Sequence, residues 1–297
     1  MIKRTIYFGS AAYLSTKNEQ LIVNYSDDRE GKSLPIEDVG ILFLDHFQLT
    51  ITQPLLSKLL DNNVAVISCN ERHLPQGMFL NLDGHYTQQA HLSAQIEASA
   101  ALKGRLWKQV IKQKITNQAA LLEEENFLAN NMQYWASQVK NDDVENMEAR
   151  AAANYWNKLF DQEFKRGRYE DGINSLLNYG YAILRAVVAR ALVGSGLHPS
   201  LGIHHHNKYN AYCLADDLME PYRPFVDRLV LQILSEEGVV EDLEWNIKQK
   251  LLQIPTLDVG MKKQRRPLMI AVQSTTSSLA ACFLKESKSL KLPTWLH

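Results

Sequence analysis

The chain divides into two parts that differ in the spacing of their apolar residues. From Thr5 to about Cys69 the apolar residues come in short runs, IYFGS, QLIVNY, GILFLDHFQLTI and VAVISC, rich in the β-branched and aromatic residues that favour strands. The segments SDDREGKS and LDNN between them have turn compositions. One amphipathic stretch, TQPLLSKLLDN, predicts a short helix with Pro54 near its first turn.

Beyond about Gln89 the apolar residues recur about every 3.6 positions, which indicates helices. The clearest stretches are AHLSAQIEASAALKGRLWKQVIKQKITNQAALLEEENF, VENMEARAAANYWNKLF, GINSLLNYGYAILRAVVARALVGS, YCLADDLMEPYRPFVDRLVLQILSEE and the tail around VQSTTSSLAACFLKES. Pro75, Gly77 and Gly84 mark a linker between the two parts. The sequence therefore predicts an α+β protein: a small N-terminal β-rich domain (1–72), a linker (73–88) and a larger C-terminal all-helical domain (89–297).

The composition is that of an ordinary soluble globular protein. Of the 297 residues, 45% are hydrophobic and 22% are charged. No apolar run approaches the roughly 18 residues of a membrane span, and no secretory signal is recognisable at the start. The three widely spaced cysteines, Cys69, Cys213 and Cys282, predict buried thiols in a reducing cytoplasm and not a disulfide framework or a zinc site.

The net charge of -1 does not by itself indicate nucleic-acid binding, so evidence for it must come from local clusters of basic residues. Three such clusters occur along the second part of the chain. They are Lys103, Arg105, Lys108, Lys112 and Lys114; Lys165, Arg166 and Arg168; and Lys262, Lys263, Arg265 and Arg266. The last cluster is predicted to lie in a loop flanked by proline and glycine.

Candidate chemistry begins with the acidic residues of LADDLMEP. Asp217 and Glu220 are three residues apart and would project from one helix face, whereas Asp216 would point elsewhere. Pro221 predicts a kink or break near Met219, which would place the Glu220 carboxylate at a bend facing a cleft. Alone, this pattern is more often an exposed acidic helix face.

A histidine cluster and a further glutamate are the other candidates. His205 lies 15 residues before Glu220, or roughly 22 Å on a straight helix, so a shared metal ion requires a turn between them. The segment HNKYNAY is suited to such a turn. Glu148 lies on an alanine-rich helix, where a buried carboxylate needs a cation or hydrogen bonds, and a salt bridge would serve as well as a metal ion.

Two carboxylates and one imidazole form a mostly oxygen donor set. Such a set suits Mn²⁺ or Mg²⁺ better than a thiolate-bound metal, and it leaves positions for water and phosphate oxygens. The chemistry that uses such a site is phosphodiester cleavage or transfer.

Longer stretches of the chain resemble a known family. MEARAAANYWNKLF and DGINSLLNYGYAILRAVVARALVGSGLHPSLGIHHHNKYNAYCLADDLMEPYRPFVD are similar to the CRISPR-associated integrase of spacer acquisition, the metal-dependent DNase of the adaptation module. The motifs GIHH and LADDLMEPYRP are most similar to those of the type II group of this family. IYFGSAAYLSTKNEQLIV, PIEDVGILFLD and NNVAVISCN resemble that family's β-domain, so the similarity covers most of the chain and weakens beyond about Glu237.

The resemblance implies a site and a reaction. The ligands of a Mg²⁺ or Mn²⁺ ion would be Glu148, His205 and Glu220, with Asp217 as a supporting acid. His206 stands where a basic residue, often arginine, is expected in close relatives, and no ligand position is replaced. The implied activity is that of a DNA endonuclease and integrase: 3′-hydroxyls of a short captured DNA, the spacer, attack phosphodiesters at the ends of a CRISPR repeat.

The resemblance also implies partners. They are DNA, a second copy in a homodimer, a smaller universal adaptation protein with which two such dimers form a heterohexamer, and further type II CRISPR-associated proteins. No membrane is involved, and the protein is expected in the cytoplasm. The residues expected to contact the DNA backbone are Lys165, Arg166 and Arg168, and then Arg105, Lys108 and Lys112, although a solvated helix explains the last three equally well.

Two other functions remain open at this point. One is a DNA-binding scaffold of the same fold in which catalysis is lost. The other is a metal-dependent phosphohydrolase that acts on small nucleotides, which the absence of a GxxxxGK[ST] or GxGxxG phosphate loop disfavours.

Overall fold

The computed structural model describes residues 3–160, 164–167, 172–238, 240, 243–262 and 264–296. The chain forms two compact units, Met1–Tyr86 and Thr87–His297. The first unit is rich in strands and the second is mostly helical, which confirms the predicted α+β class.

The described part of the first unit forms eight strands and one α-helix. The strands are β1 (Arg4–Phe8), β2 (Ala12–Lys17), β3 (Gln20–Tyr25), β4 (Lys32–Pro35), β5 (Val39–Leu44), β6 (Leu49–Ile51), β7 (Ala65–Cys69) and β8 (Pro75–Phe79), and the helix is α1 (Gln53–Asp61). A 3₁₀ turn at Ile36–Asp38 precedes β5.

The strands are arranged in two four-stranded sheets. One has the order β1-β5-β7-β8, in which the first three strands are parallel and β8 is antiparallel to β7. The other has the order β4-β3-β2-β6, with an antiparallel meander and β6 parallel to β2. One buried cluster joins both sheets to α1 through residues such as Leu14, Leu42, Val66, Leu55 and Leu59. Burial of these apolar faces is the main source of the unit's stability.

Strand β8 differs from the sequence-based expectation, because it lies inside the segment 73–88 that was expected to be a linker. It pairs with β7 from Val66 opposite Phe79 to Cys69 opposite Pro75. As an edge strand with an exposed, glycine-containing sequence, it lacks the alternation of apolar residues by which strands are recognised. The domain boundaries expected from the sequence otherwise stay a prediction.

The described part of the second unit contains nine α-helices and one short β-hairpin. The helices are α2 (Gln88–Ile96), α3 (Ala100–Glu124), α4 (Asn130–Gln138), α5 (Met147–Leu159), α6 (Ile173–Gly194), α7 (Cys213–Met219), α8 (Arg223–Glu237), α9 (Trp245–Leu251) and α10 (Leu268–Phe283). The hairpin strands are β9 (Asp258–Met261) and β10 (Gln264–Pro267).

The hairpin corrects two expectations: the second unit is not all-helical, and the third basic cluster is not a simple loop. Arg265 and Arg266 lie on β10, paired with Gly260 and Val259 of β9. Lys263 lies outside the described residues. The strand QRRP is exposed and charged, so no hydrophobic alternation indicated it.

Helix α6 forms the centre of the second unit. By length and composition it could cross a membrane, but 78% of its most apolar stretch is buried within the protein. It packs against α7, α8 and α10. Gly180 permits the close approach of α8, because a Cβ atom there would lie 2.6 Å from Val226 Cγ1. The apolar surface of α6 is therefore the core of this unit.

The segment that follows α10 returns to α3. The Trp295 indole Nε1 donates a hydrogen bond to Glu124 at 2.7 Å, and its ring stacks on Phe225 with the centroids 4.8 Å apart. The buried Asn117 amide of α3 donates to the carbonyl of Pro293 at 3.2 Å. Residues far apart in the chain thus hold the C-terminal half of α3 in place.

Candidate metal centre

Glu148 is positioned by the first turn of α5. The Asp143 carboxylate accepts hydrogen bonds from the backbone N–H groups of Met147 at 3.0 Å and Glu148 at 2.9 Å. These are two of the N–H groups that a helix start leaves without an intrahelical partner. Asp143 therefore performs the capping role that the side chain of Asn146, the residue before the helix, does not fill.

Glu220 lies at a break between two helices. Helix α7 ends at Met219, a 3₁₀ turn covers Glu220–Tyr222, and α8 begins at Arg223, so the α-helix is interrupted where Pro221 predicted a kink or break. Glu220 is only 4% exposed. As expected, Asp216 points elsewhere: its carboxylate forms an ion pair with Arg185 at 2.7 Å.

His205 lies in the irregular segment between α6 and α7, so the predicted turn is present. The buried Asp217 carboxylate anchors this segment by accepting hydrogen bonds from the backbone N–H groups of Ile203 (2.7 Å), His204 (3.0 Å) and His205 (3.2 Å). His205 Nδ1 lies 2.6 Å from the same carboxylate. Because Asp217 acts as an acceptor throughout, Nδ1 carries the proton and donates it.

This hydrogen bond sets the chemistry of the imidazole. It is the main cause of a raised pKa at His205, which the nearby charges of Asp217, Glu220 and Glu148 also raise against the opposing effect of burial. With Nδ1 donating to a carboxylate, the neutral ring has its lone pair on Nε2, which is the arrangement found in metal-binding histidines. Asp217 thus binds the ring nitrogen of His205 that does not carry this lone pair.

A buried tryptophan holds the two histidine rings. Trp107 of α3 stacks on His204 with the ring centroids 4.2 Å apart and the planes 3° from parallel. Its edge meets His205 at 5.7 Å and 87°. Aromatic pairs of this kind contribute more stabilisation than their buried area alone would give. The imidazole of His205 is therefore held from two sides, by Trp107 and by Asp217.

The carboxylates of Glu148 and Glu220 converge on one cation, Lys114. Its Nζ lies 2.5 Å from Glu148 Oε1 and 2.6 Å from Glu220 Oε2. Arg223 Nη2 lies 2.9 Å from the other oxygen of Glu220. Burial favours the neutral form of Glu220, but Arg223 and Lys114 outweigh it and lower its pKa. Burial likewise opposes the charge of Lys114, and the two glutamates outweigh it and raise the pKa of the lysine.

The two glutamates and the histidine offer donor atoms that suit a divalent ion, but their side chains are not yet gathered around one metal position. Glu220 Oε2 is buried, and Lys114 Nζ is its ion-pair partner at 2.6 Å. Two such oxygens and a histidine nitrogen suit Mg²⁺ or Mn²⁺. Among the described residues, no three histidine, cysteine or acidic side chains already lie close enough to hold a metal ion together.

Lys114 and Arg223 are the residues that sequence reasoning missed. Lys114 was grouped with the basic surface cluster of α3, although it lies seven residues after Trp107 and four after Val110, on the buried face of that helix. Arg223 stands three residues after Glu220, the spacing at which helical side chains meet. Helical periodicity could have placed Arg223 beside Glu220 and Lys114 on the buried face of α3, but not the partners of Lys114 on other helices.

The expected DNA contacts on α3 share the exposed face of the helix. Arg105 and Lys112 are exposed, and Lys108 is half-buried beside them. Their spacing along one face is compatible with a row of phosphates. A role in DNA binding stays a prediction for these three residues.

The second set of expected DNA contacts divides. Lys165 is exposed, whereas Arg166 donates from Nη1 to Asn174 at 2.8 Å and from Nη2 to Asn178 at 2.6 Å. Arg166 thereby ties the segment 164–167 to α6, a structural role that the sequence did not indicate. Arg168 lies outside the described residues. DNA binding stays a prediction for this set as well.

Comparisons with known proteins place this fold. The family model for CRISPR associated protein Cas1 matches residues 6–253. The CRISPR-associated endonuclease Cas1 of Neisseria meningitidis serogroup C (strain 8013) is 33% identical over 296 residues, which is 99% of this chain and 96% of the relative. A casposase bound to an integration product has the same fold, with a TM-score of 0.77 at 18% identity over 98% of this chain and 93% of that one.

A Cas6-RT-Cas1–Cas2 complex also contains this fold, with a TM-score of 0.76 at 19% identity over 100% of this chain and 36% of that one. The fold is thus one that casposase and Cas1 structures share. By sequence, the chain belongs to the CRISPR-associated Cas1 family, whose 33% identical Neisseria member is named an endonuclease. The family resemblance seen in the sequence is confirmed, and the assignment to the type II group stays a prediction.

Proposed function

We propose that this Cas1 protein is a divalent-metal-dependent DNA endonuclease and integrase, which inserts short captured DNA fragments into a CRISPR array by transesterification from their 3′-hydroxyls. The observation that carries the proposal is the convergence of Glu148 and Glu220, from separate elements, within 2.6 Å of one buried cation. The 33% identical relative, named an endonuclease, and the casposase fold bound to an integration product support it.

Glu148, His205 and Glu220 would hold Mg²⁺ or Mn²⁺, with the imidazole binding through Nε2. When bound, the ion supplies Lewis-acid polarisation of a phosphoryl oxygen. Asp217 keeps the imidazole in the required tautomer by accepting its Nδ1 proton. Arg223 holds the second oxygen of Glu220 and fixes the orientation of that carboxylate.

The proposed partners follow from the family and from the basic surface. The exposed residues of α3 and Lys165 would contact phosphates, which makes DNA binding dependent on salt and largely independent of sequence. We propose a homodimer that assembles with Cas2 into a heterohexamer, and the Cas6-RT-Cas1–Cas2 complex that contains this fold supports the association with Cas2. Further type II CRISPR-associated proteins are proposed partners in the choice of DNA.

A strand-transfer assay tests the proposal. The purified protein, with and without its Cas2 partner, is mixed with a short duplex carrying free 3′-hydroxyls and a supercoiled plasmid carrying a CRISPR repeat. Joining is measured in Mn²⁺, Mg²⁺ or EDTA. We expect metal-dependent joining that falls at least about 100-fold in Glu148→Gln and His205→Ala, as for the loss of a group that acts in the transition state.

The control is Glu145→Gln. Glu145 is an exposed neighbour of the same segment, paired with Lys140, and its loss leaves the two converging carboxylates intact. Joining that survives Glu148→Gln and His205→Ala would contradict the proposed ligands. Salt-sensitive duplex binding without joining, in the presence of Cas2, would favour the scaffold function instead.

A further inference from the structure

The position between the two glutamates is already taken by a side chain. Lys114 Nζ lies within 2.6 Å of an oxygen from each carboxylate, and Lys114 is 8% exposed. A Mg²⁺ ion bound by the same oxygens would lie about 2.0–2.1 Å from them. An ammonium group and a divalent ion cannot occupy that one position together, because their sizes overlap and their charges repel.

The lysine is suited to hold this position and to leave it. Its backbone is fixed within the long helix α3, while its charge is carried on a flexible four-carbon stem. Burying Glu220 without a cation would be costly, so some positive charge must remain beside it. Arg223 supplies one such charge, but it binds the opposite oxygen of Glu220 and leaves the position between the glutamates to Lys114.

We propose that Lys114 is a resident cation that competes with the divalent metal ion for Glu148 and Glu220. It keeps the two carboxylates together when no ion is bound, and metal binding must move its ammonium group aside. Lys114 thereby lowers the apparent affinity of the site for metal. The inference rests on the proposed function, since it requires divalent-ion binding by Glu148 and Glu220.

The test is a titration of the full-length protein with Mn²⁺ alone, followed by calorimetry and by electron paramagnetic resonance of free Mn²⁺, with no DNA present. Lys114→Met removes the charge and retains the stem. We expect this variant to bind Mn²⁺ at least about tenfold more tightly than the wild type. A tenfold change in affinity corresponds to only a modest part of the interaction energy between two unit charges at contact distance. The thermal midpoint of the variant without metal should fall, and Mn²⁺ should raise that midpoint more than in the wild type.

Two control variants separate competition from a general loss of positive charge. Lys112→Met removes an exposed charge from the same helix and should leave the affinity unchanged. Arg223→Met removes a charge from the other oxygen of Glu220 and should raise the affinity by no more than about threefold, because the guanidinium does not hold the shared position and its loss also frees the carboxylate that it orients. Lys114→Gln, a neutral side chain that can still donate a hydrogen bond, replaces Lys114→Met if that variant fails to fold.

The outcomes distinguish this inference from the proposed function. Mn²⁺ binding by the wild type that Glu148→Gln abolishes, without tighter binding in either Lys114 variant, would overturn the inference and leave the metal site standing. An equal gain in Arg223→Met would also overturn it. If no Mn²⁺ binds to the wild type or to any variant, both the metal site and the inference fail.

Discussion

Asp227 provides a sharp test of the electrostatics in the core of the helical unit. This α8 residue is 1% exposed, and its carboxylate accepts hydrogen bonds from the hydroxyls of Tyr155 at 2.7 Å and Tyr181 at 2.5 Å. It thus joins α8 to α5 and α6. Burial raises the pKa of Asp227 to about 6, although the two hydroxyls and Arg223 act in the opposite direction.

The size of the effect follows from the difference between the folded and unfolded states. The pKa of Asp227 is 3.8 without the fold and about 6 within it, a rise of about two units, or about 3 kcal/mol at about 1.4 kcal/mol per unit. The folded state holds the proton more tightly, so the contribution of this group to stability is largest below the unfolded pKa and is lost as the pH rises through about 6. Between pH 5 and pH 7 the loss is about 1 kcal/mol.

Urea denaturation followed by helical circular dichroism measures this contribution. Asp227→Asn cannot titrate, so the unfolding free energy of the wild type should gain about 1 kcal/mol relative to this variant when the pH falls from 7 to 5. Glu125→Gln, an exposed change at the end of α3, should parallel the wild type. Identical pH dependence in the wild type and Asp227→Asn would refute the assignment of a raised pKa to Asp227.

Three further substitutions test local features. Asp143→Ala removes the cap of α5 and should cost about 1 kcal/mol in urea denaturation, whereas a loss near zero would show that the cap is replaceable. Gly180→Ala places a Cβ atom 2.6 Å from Val226 Cγ1 and should destabilise the protein by about 1–3 kcal/mol, visible as a lower urea midpoint. Asp217→Asn removes the negatively charged acceptor of the His205 Nδ1 proton and should weaken Mn²⁺ binding roughly 10- to 100-fold in calorimetry; unchanged affinity would contradict the orienting role of Asp217.

Sequence patterns predicted the elements that bury a regular apolar face and the breaks that proline or asparagine impose. The division into strands and helices, the break at Glu220 and the turn after His205 are of this kind. Strands β8 and β10 were missed because their exposed residues have no alternation to detect. The ion pairs of Lys114 were missed because they depend on which helices meet, and residue spacing within one helix does not contain that information.

The return of the segment after α10 to α3 has a consequence for the order of events during protein synthesis. Glu124 is separated by 171 residues from its partner Trp295, and Asn117 by 176 residues from Pro293. At translation rates of about 5–20 residues per second, these partners emerge roughly 10–30 s after α3 has been made. The β-rich unit pairs its strands among residues 4–79 and can therefore form on the ribosome first. Helix α3, which carries Lys114 and Trp107, gains these supports only after 171 further residues have been made, so the proposed metal centre cannot be completed before then.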